Sequence, residues 1–446
     1  MICPAVFPPM PWRRLVGPFL FLALAGQTTL FAQEELAPAE RRIAGHVDDR
    51  TPAAVALLES TVNQNSGTLN HAGVRAVYDM MAPQFEELGF EVRWVQMPSE
   101  TGRSGHLVAE RKGSRGKSLL LIGHLDTVFE PDSPFQTWVR VGDFATGPGA
   151  VDMKGGNIVI LLALQALHDE GVLEDVSITV VMTGDEEASG RPLEVVRRDL
   201  FLAGERADIA LGFENASRSD GVDLAIVARR SWSSWLLEVK AASGHSSLLF
   251  RDEIGTGAIY EAARILDTFY EELRGEQYLT FNVGVLLGGT QVSYDAAQGG
   301  GTADGKNNVI PQAVIATGDI RAMTVEQLER TRDRMRQVVT RSLTGAQATI
   351  TFDDDYPAMP PAPANYALLE QYSEISRALG FGAVQAIDPG ARGAADIAFV
   401  AGTVEAALDG LGPVGEALHT VNERLEVTSV PTAAKRAAIL IHRLTR

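Results

Sequence analysis

Cysteine is almost missing from this chain of 446 residues: Cys3 is the only one, and it lies near the N-terminus. Without further thiols there is no disulfide framework and no thiolate to offer a metal. Any bound metal must be held by imidazole and carboxylate. Histidine is also scarce, eight in all, so each can be weighed singly. Cations are outnumbered, 39 Lys and Arg against 57 Asp and Glu, and a surface of that sign repels nucleic acid and anionic lipid. That balance says little about a small substrate, because one buried arginine can still hold an anionic group. Long apolar runs are missing too. The best candidate, near the N-terminus, is shorter than the ~20 residues of a membrane-spanning helix.

That N-terminal stretch reads as a leader. Trp12-Arg13-Arg14 gives a positive segment, Leu15 to Gly26 an apolar one, and Gln27 to Ala32 a polar stretch ending in a small residue. The pattern predicts a secretory signal peptide over residues 1–32, cleaved after Ala32. It implies a periplasmic or secreted protein with no membrane attachment after cleavage, and it takes Cys3 away. Arg13 and Arg14 leave with it and no acid does, which moves the net charge from −18 to −20.

The length favours two domains. Helices are expected within 37–88, the second over Gly73 to Leu88, then strands over Glu91–Gln96, His106–Glu110 and Ser118–Ile122. Gly155 to Asp169 reads as a helix, with Ile158, Leu161, Leu162, Leu164 and Leu167 on its apolar face. Alternating strands and helices continue to Glu214, which predicts an α/β domain built on a mostly parallel, helix-covered sheet. After Asp223 the pattern changes. Strands at Trp232–Ala241, Asn282–Leu287, Val309–Arg321 and Ala348–Asp353, with helices at Gly255–Leu273 and Val325–Leu343, form a four-stranded, two-helix α+β unit. From Asn365 the α/β character returns, ending in a helix over Thr432–Leu444. The expected arrangement is one α/β domain, 37–228 and 354–446, interrupted by an inserted domain, 229–353. Asp353-Asp-Asp355, beside Pro357 and Pro360, reads as a solvated hinge.

The chemistry-bearing residues stand where predicted strands stop. Leu119 to Ile122 stops at Gly123-His124, with Asp126 two residues on. Val176 to Met182 stops at Gly184-Asp185-Glu186-Glu187, and Ile209 to Phe213 stops at Glu214. Ligands of an open α/β sheet gather at the carboxyl ends of its strands. Gly147-Pro-Gly-Ala-Val-Asp-Met-Lys-Gly-Gly156 fits neither phosphate-binding glycine pattern; its glycines let the backbone turn sharply and present Asp152. Adjacent acids at the end of a buried strand need compensation, because an uncompensated buried charge is costly. Together with His419, these residues read as a two-metal hydrolase site. His46, His71, His106, His168 and His442 read as structural or surface histidines.

The blocks Gly-His-Leu-Asp-Thr-Val at 123–128, Gly-Pro-Gly-Ala-Val-Asp-Met-Lys-Gly-Gly at 147–156 and Gly-Asp-Glu-Glu at 184–187 resemble the co-catalytic zinc exopeptidase family. That family includes glutamate carboxypeptidase, aminoacylase, succinyl-diaminopimelate desuccinylase and peptidase T, and glutamate carboxypeptidase is nearest in pattern. Phe213-Glu214, Gly244-His245-Ser246, Asn307-Asn-Val-Ile-Pro311, Asp319-Ile-Arg321 and Ala417-Leu-His419 extend the likeness over nearly the whole mature chain.

The resemblance implies two zinc ions per subunit, with cobalt or manganese as possible substitutes. Asp152 would bridge them, followed by a cis peptide. Glu187 and His419 would complete one zinc, His124 and Glu214 the other. Asp126 would orient His124, and Glu186 would be the general base. His245 would reach the site of the partner subunit in a homodimer and polarise the scissile carbonyl. Asn308 and Arg321 would hold the carboxylate end of a small peptide or N-acyl amino acid. The implied reaction is release of a C-terminal amino acid. The rival readings are an N-acyl amino acid deacylase, an aminopeptidase or dipeptidase, and an inactive binding protein of the same fold. Gly393-Ala394-Ala395-Asp396 departs from relatives that carry a hydroxyl residue before the aspartate. No arginine stands near Tyr356-Pro357, where glutamate-specific relatives have one. Arg229, Arg230 and Arg392 could compensate but read as surface or hinge arginines.

Overall fold

The computed structural model describes residues 35–446 except Ala297; the expected leader lies outside the described residues. Among them, no helix is long and apolar enough to cross a membrane.

The central sheet has six strands, in spatial order Glu91–Gln96, Gly105–Arg111, Val176–Thr183, Arg115–His124, Ile209–Gly212 and Ala406–Leu408. The last four run parallel and the first two pair antiparallel. Leu119 to Ile122 sits mid-sheet with both faces covered, which is why it is apolar without alternation. Leu119 and Leu121 pack into the core on one face, and Leu120 and Ile122 into that on the other. The helix Lys154–Asp169 lies on the first face, against helices Pro38–Asn63 and Ser429–Leu444. Wedged between sheet and helices, it buries every residue from Ile158 to Leu164.

The segment from Trp232 to Tyr356 builds a separate antiparallel sheet. Ala313–Arg321 pairs with Trp232–Ala241, which pairs with Ala346–Tyr356. Thr280–Phe281 and Val285–Gly289 follow one another along the far edge of Ala313–Arg321. Helices Ala258–Leu273 and Val325–Val339 cover this sheet over a core that includes Trp235, Leu237, Phe269 and Met335. The fold is thus an α/β domain carrying an inserted α+β unit.

Several expectations need adjusting. The helix expected from Gly255 starts at Ala258, after Gly257 with φ 75°. The strand expected over Asn282–Leu287 is Val285–Gly289. Asp353 to Asp355, expected as a solvated hinge, is the end of the edge strand Ala346–Tyr356, with Asp353 and Asp354 exposed and Asp355 half-buried. Asp354 meets Arg332 and Asp355 meets Arg191, so opposite charges let the acidic run remain in a strand. A small sheet outside the expected set joins Val139–Val141, Phe144–Thr146, Arg424–Glu426 and Gly415–Glu416. Its last two strands frame the loop that carries His419.

Candidate metal centre

Parallel pairing puts the carboxyl ends of three neighbouring strands at one edge, and each delivers a ligand-type side chain. Arg115–His124 ends on His124, Val176–Thr183 leads into Glu186 and Glu187, and Ile209–Gly212 leads into Glu214. Asp152 comes from the turn before helix Lys154–Asp169, and the Asp152–Met153 peptide is cis. His419 has φ 61°, a left-handed conformation that non-glycine residues adopt sparingly and that clusters at functional sites.

These side chains meet around Asp152. Its Oδ1 lies 3.1 Å from His124 Nε2 and its Oδ2 lies 3.0 Å from His419 Nε2. Glu214 Oε1 stands 3.7 Å from His124 Nε2, and Glu187 Oε2 stands 3.2 Å from His419 Nε2. The result is two groups, each an imidazole and a glutamate, sharing one aspartate. One ligand atom each from His124, Asp152 and Glu187 can be chosen so that all lie within 4.8 Å of one another.

The electrostatics favour a cation here. Asp152, Glu186, Glu187 and Glu214 face one cleft of about 240 Å³. Burial, and then the charge of Asp152, pushes Glu187 up to about 7 and Glu214 up to about 8. Burial likewise holds Glu186 well above the ordinary carboxylate range. Glu187 Oε1 is buried with no hydrogen-bond partner among the described residues. A divalent ion would supply the missing partner and relieve the crowding of like charge. The donors are nitrogen and oxygen only, as zinc, cobalt and manganese accept.

Supporting residues fix this geometry. The Asp126 carboxylate lies 3.3 Å from His124 Nδ1. It also accepts the Thr68 hydroxyl at 2.6 Å and the backbone N–H groups of Glu186 and Glu187 at 3.1 Å each. Asn157 Nδ2 donates to the His124 carbonyl at 2.6 Å. A Cβ at Gly123 would lie 2.2 Å from Asn157 Oδ1, so any other residue there would displace the amide that holds the His124 carbonyl. Buried Glu423 accepts the backbone N–H of Val151 at 2.8 Å.

The structure thus brings together His124, Asp126, Asp152, Glu186, Glu187, Glu214 and His419. His245 and Asn308 sit beside each other on the inserted unit, where Ser246 N–H donates to the Asn308 carbonyl at 3.0 Å. Neither lines the cleft. Arg321 stands at its margin: its Nη1 is 3.9 Å from where a Cβ on the cleft residue Gly393 would be. Its Nε donates to Asp319 Oδ2 at 2.9 Å.

Arg229 and Arg392 line the cleft rather than an open surface. Arg229 is buried, paired with Asp409 at 2.7 Å and donating to the Gly393 carbonyl at 2.9 Å. Arg392 donates to Asn215 Oδ1 at 2.6 Å. Arg230 bonds the Gly390 carbonyl and Thr280. Asp409, Glu423, Arg197 and Tyr356 also support the site, and none of them has a local signature in the sequence. His106 is structural as expected: Gly184 N–H donates to its Nδ1, leaving Nε2 to donate to the Val196 carbonyl at 2.8 Å.

Known proteins share this arrangement of sequence and fold. Carboxypeptidase G2 of Pseudomonas sp. (strain RS-16) is 26% identical over 401 residues, 88% of this chain and 89% of that one. A succinyl-diaminopimelate desuccinylase of Magnetococcus marinus is 26% identical over 379 residues, covering 82% and 92%. The crystal structure of an M20 family metallo-carboxypeptidase from Sulfolobus solfataricus superposes with a TM-score of 0.64 over 88% of this chain and 99% of that one. At 15% identity that likeness is one of fold. A sequence model of the peptidase family M20/M25/M40 matches residues 120–443. Because that match takes in every ligand-type residue around Asp152, this chain belongs to the M20/M25/M40 family of metal-dependent peptidases and amidohydrolases.

Proposed function

We propose that this protein is a two-metal amide hydrolase of the carboxypeptidase type, which releases the C-terminal amino acid from small peptides or N-acyl amino acids. The observation that carries the reading is the division of Asp152 between His124 and His419. Each imidazole has its own glutamate, a donor set that would suit two zinc ions, with cobalt or manganese as substitutes. His124 and Glu214 would hold one ion, His419 and Glu187 the other. When bound, such a pair supplies Lewis acidity and brings the pKa of water near neutrality.

The remaining work falls to the chain's own groups. The Glu186 carboxylate has no hydrogen-bond partner among the described residues and faces the cleft. A carboxylate left free of partners in this way can take a proton from water and pass it to the leaving nitrogen. Arg321, at the margin by Gly393, offers a guanidinium to a substrate carboxylate. That placement, with the near full-length match to carboxypeptidase G2, favours recognition of the carboxylate end over the amino end.

His245 and Asn308 would serve the opposite protomer of a homodimer. His245 is exposed and away from its own cleft. Ile259, Tyr260 and Leu286, on the outer helix and edge strand of the inserted unit, are large exposed apolar side chains of the kind an interface covers. The leader pattern supports a periplasmic or secreted location. The function is tested by a hydrolysis panel on zinc-loaded protein, pairing N-acetyl and N-benzoyl amino acids and dipeptides with their C-terminal amides. Turnover confined to free acids is the expected result. Cleavage of free-amine dipeptide amides, with no turnover of N-acyl acids, would overturn it in favour of an aminopeptidase.

A further inference from the structure

Tyr356 is the last residue of strand Ala346–Tyr356, where the chain leaves the inserted unit. Its partner across the sheet is Trp232, at the start of the strand by which the chain enters that unit. Tyr356 therefore stands at the crossing between the two parts of the molecule, yet its side chain is not on the surface. The ring is buried, with its centroid 5.0 Å from that of Phe399 in the α/β domain.

The hydroxyl is fully used. It donates to the backbone carbonyl of Glu186 at 2.6 Å. It stands 3.0 Å from Ser189 Oγ and accepts from Arg197 Nη2 at 3.3 Å. A phenol has one proton and two lone pairs, and this environment matches all three. Arg197 is itself fixed: its Nη1 bonds Asp185 Oδ1 at 2.5 Å and its Nε bonds Asp396 Oδ1 at 2.9 Å, with all three side chains buried.

The loop bearing Glu186 is thus gripped from two sides. Asp126 holds the N–H groups of Glu186 and Glu187 from the α/β domain, and Tyr356 holds the Glu186 carbonyl from the inserted unit. A second tie runs parallel to the first. Arg191, in the same loop, donates to the Asp354 carbonyl at 2.7 Å and pairs with Asp355.

We infer that Tyr356 is a positioning residue for Glu186, by which the seating of the inserted unit sets the aim of the general base. The inference rests on the reading of Glu186 as that base. A hydrogen bond to a backbone carbonyl does not touch the substrate, so its loss acts on turnover through the attitude of Glu186. Substrate grip and metal retention belong to other residues. Catalytic groups misplaced by a fraction of an ångström lose rate steeply.

The test is Tyr356→Phe, which removes the hydroxyl and keeps the ring against Phe399. It is measured in the zinc-loaded full chain on the best N-acyl amino acid of the panel, alone and combined with Glu186→Gln. The expected result is a kcat lower by about 5- to 10-fold, the worth of one buried hydrogen bond, with KM and zinc content unchanged. In the Glu186→Gln background the same substitution should cost less than about 2-fold, because a base that cannot take a proton gains nothing from being aimed. Arg191→Ala, which cuts only the second tie and leaves the buried network alone, should lower kcat in the same sense. Wild-type kcat in Tyr356→Phe would overturn the inference. So would loss of zinc, or an equal loss of rate in the Glu186→Gln background. If Glu186→Gln itself turned over at the wild-type rate, the reading of Glu186 would fall first. If Glu186→Gln is crippled and Tyr356→Phe is not, only the role of Tyr356 falls.

Discussion

Glu423 holds Asp152 from behind: its Oε1 accepts the Asp152 backbone N–H at 3.2 Å while the Asp152 carboxylate faces the two imidazoles. The two residues are 271 positions apart. Glu423→Gln keeps an acceptor of the same shape and should leave metal binding close to wild type. Glu423→Ala strands two buried N–H groups, those of Val151 and Asp152, and frees the turn that aims the Asp152 carboxylate. Loss of such a supporting group typically costs 10- to 100-fold in metal affinity. Chelator competition for zinc should find Glu423→Ala weakened by at least about 10-fold, and the glutamine variant by much less.

Glu186 and Glu187 are adjacent but differ in surroundings. Glu187 Oε2 lies 3.2 Å from His419 Nε2, whereas the Glu186 carboxylate has no hydrogen-bond partner among the described residues. Glu186→Gln should therefore keep the bound metal of the proposed site and lose at least about 10²-fold in kcat. Glu187→Gln should lose metal instead. Metal analysis beside steady-state rates separates the two, and the opposite pattern would reverse the assignment.

What was legible in the sequence is what has a local signature. His124, Glu186, Glu187 and Glu214 each follow an apolar run, so strand ends and candidate ligands announced one another. Parallel pairing then brought them together. Tyr356 and Glu186 are 170 positions apart, and nothing around either marks the contact. Arg197 reads as one more charge in Val196-Arg197-Arg198, yet it is fully buried between Asp185 and Asp396. That Asp353 to Asp355 ends a strand was hidden for the same reason: the neutralising cations, Arg191 and Arg332, come from distant elements.

The ion-pair cluster at Asp223 gives the fold an acid-sensitive element away from the metal centre. Arg218 Nε lies 2.6 Å from Asp223 Oδ1 and Arg436 Nη1 lies 2.8 Å from Oδ2. Burial works to raise this carboxyl, but the two guanidiniums outweigh it and hold it below the usual range. A depressed carboxyl contributes stability above its unfolded pKa, about 3.9, and loses it as pH falls through the lower folded value. Asp223→Asn should lower stability at pH 7 by about 3 kcal/mol, because buried Arg436 loses its counter-charge. Below about pH 4 the gap to wild type should shrink. Urea unfolding at the two pH values checks both statements.

The proposed homodimer makes His245 act in trans. An inactive Glu186→Gln subunit mixed with an inactive His245→Ala subunit should regain activity, because each heterodimer then holds one site with both residues intact. Purified heterodimer carrying different tags on its two subunits gives the measurement. No recovery above the parent homodimers would assign His245 to its own protomer or to no site at all.

Arg321 is the proposed reader of a substrate's C-terminal carboxylate, and acid and amide substrates test it. It ends strand Ala313–Arg321, and Asp319 engages only its Nε edge. Asp319 is the sole hydrogen-bond partner of its guanidinium among the described residues, so the terminal nitrogens are open to a ligand. A guanidinium can grip a carboxylate through two parallel hydrogen bonds, and lysine cannot reproduce that geometry. If Arg321 reads the carboxylate, wild type should hydrolyse C-terminal acids far faster than the matching amides. Arg321→Ala should then narrow the ratio by at least about 10-fold, since a charge-assisted bond is worth about 1.5–3 kcal/mol. Arg321→Lys should recover only part of the preference, and zinc content should not change. If the ion pair with Asp319 is the whole role of Arg321, the acid-to-amide ratio will stay at its wild-type value while unfolding stability falls. Equal rates on acids and amides by the wild type would remove the main support for a carboxypeptidase.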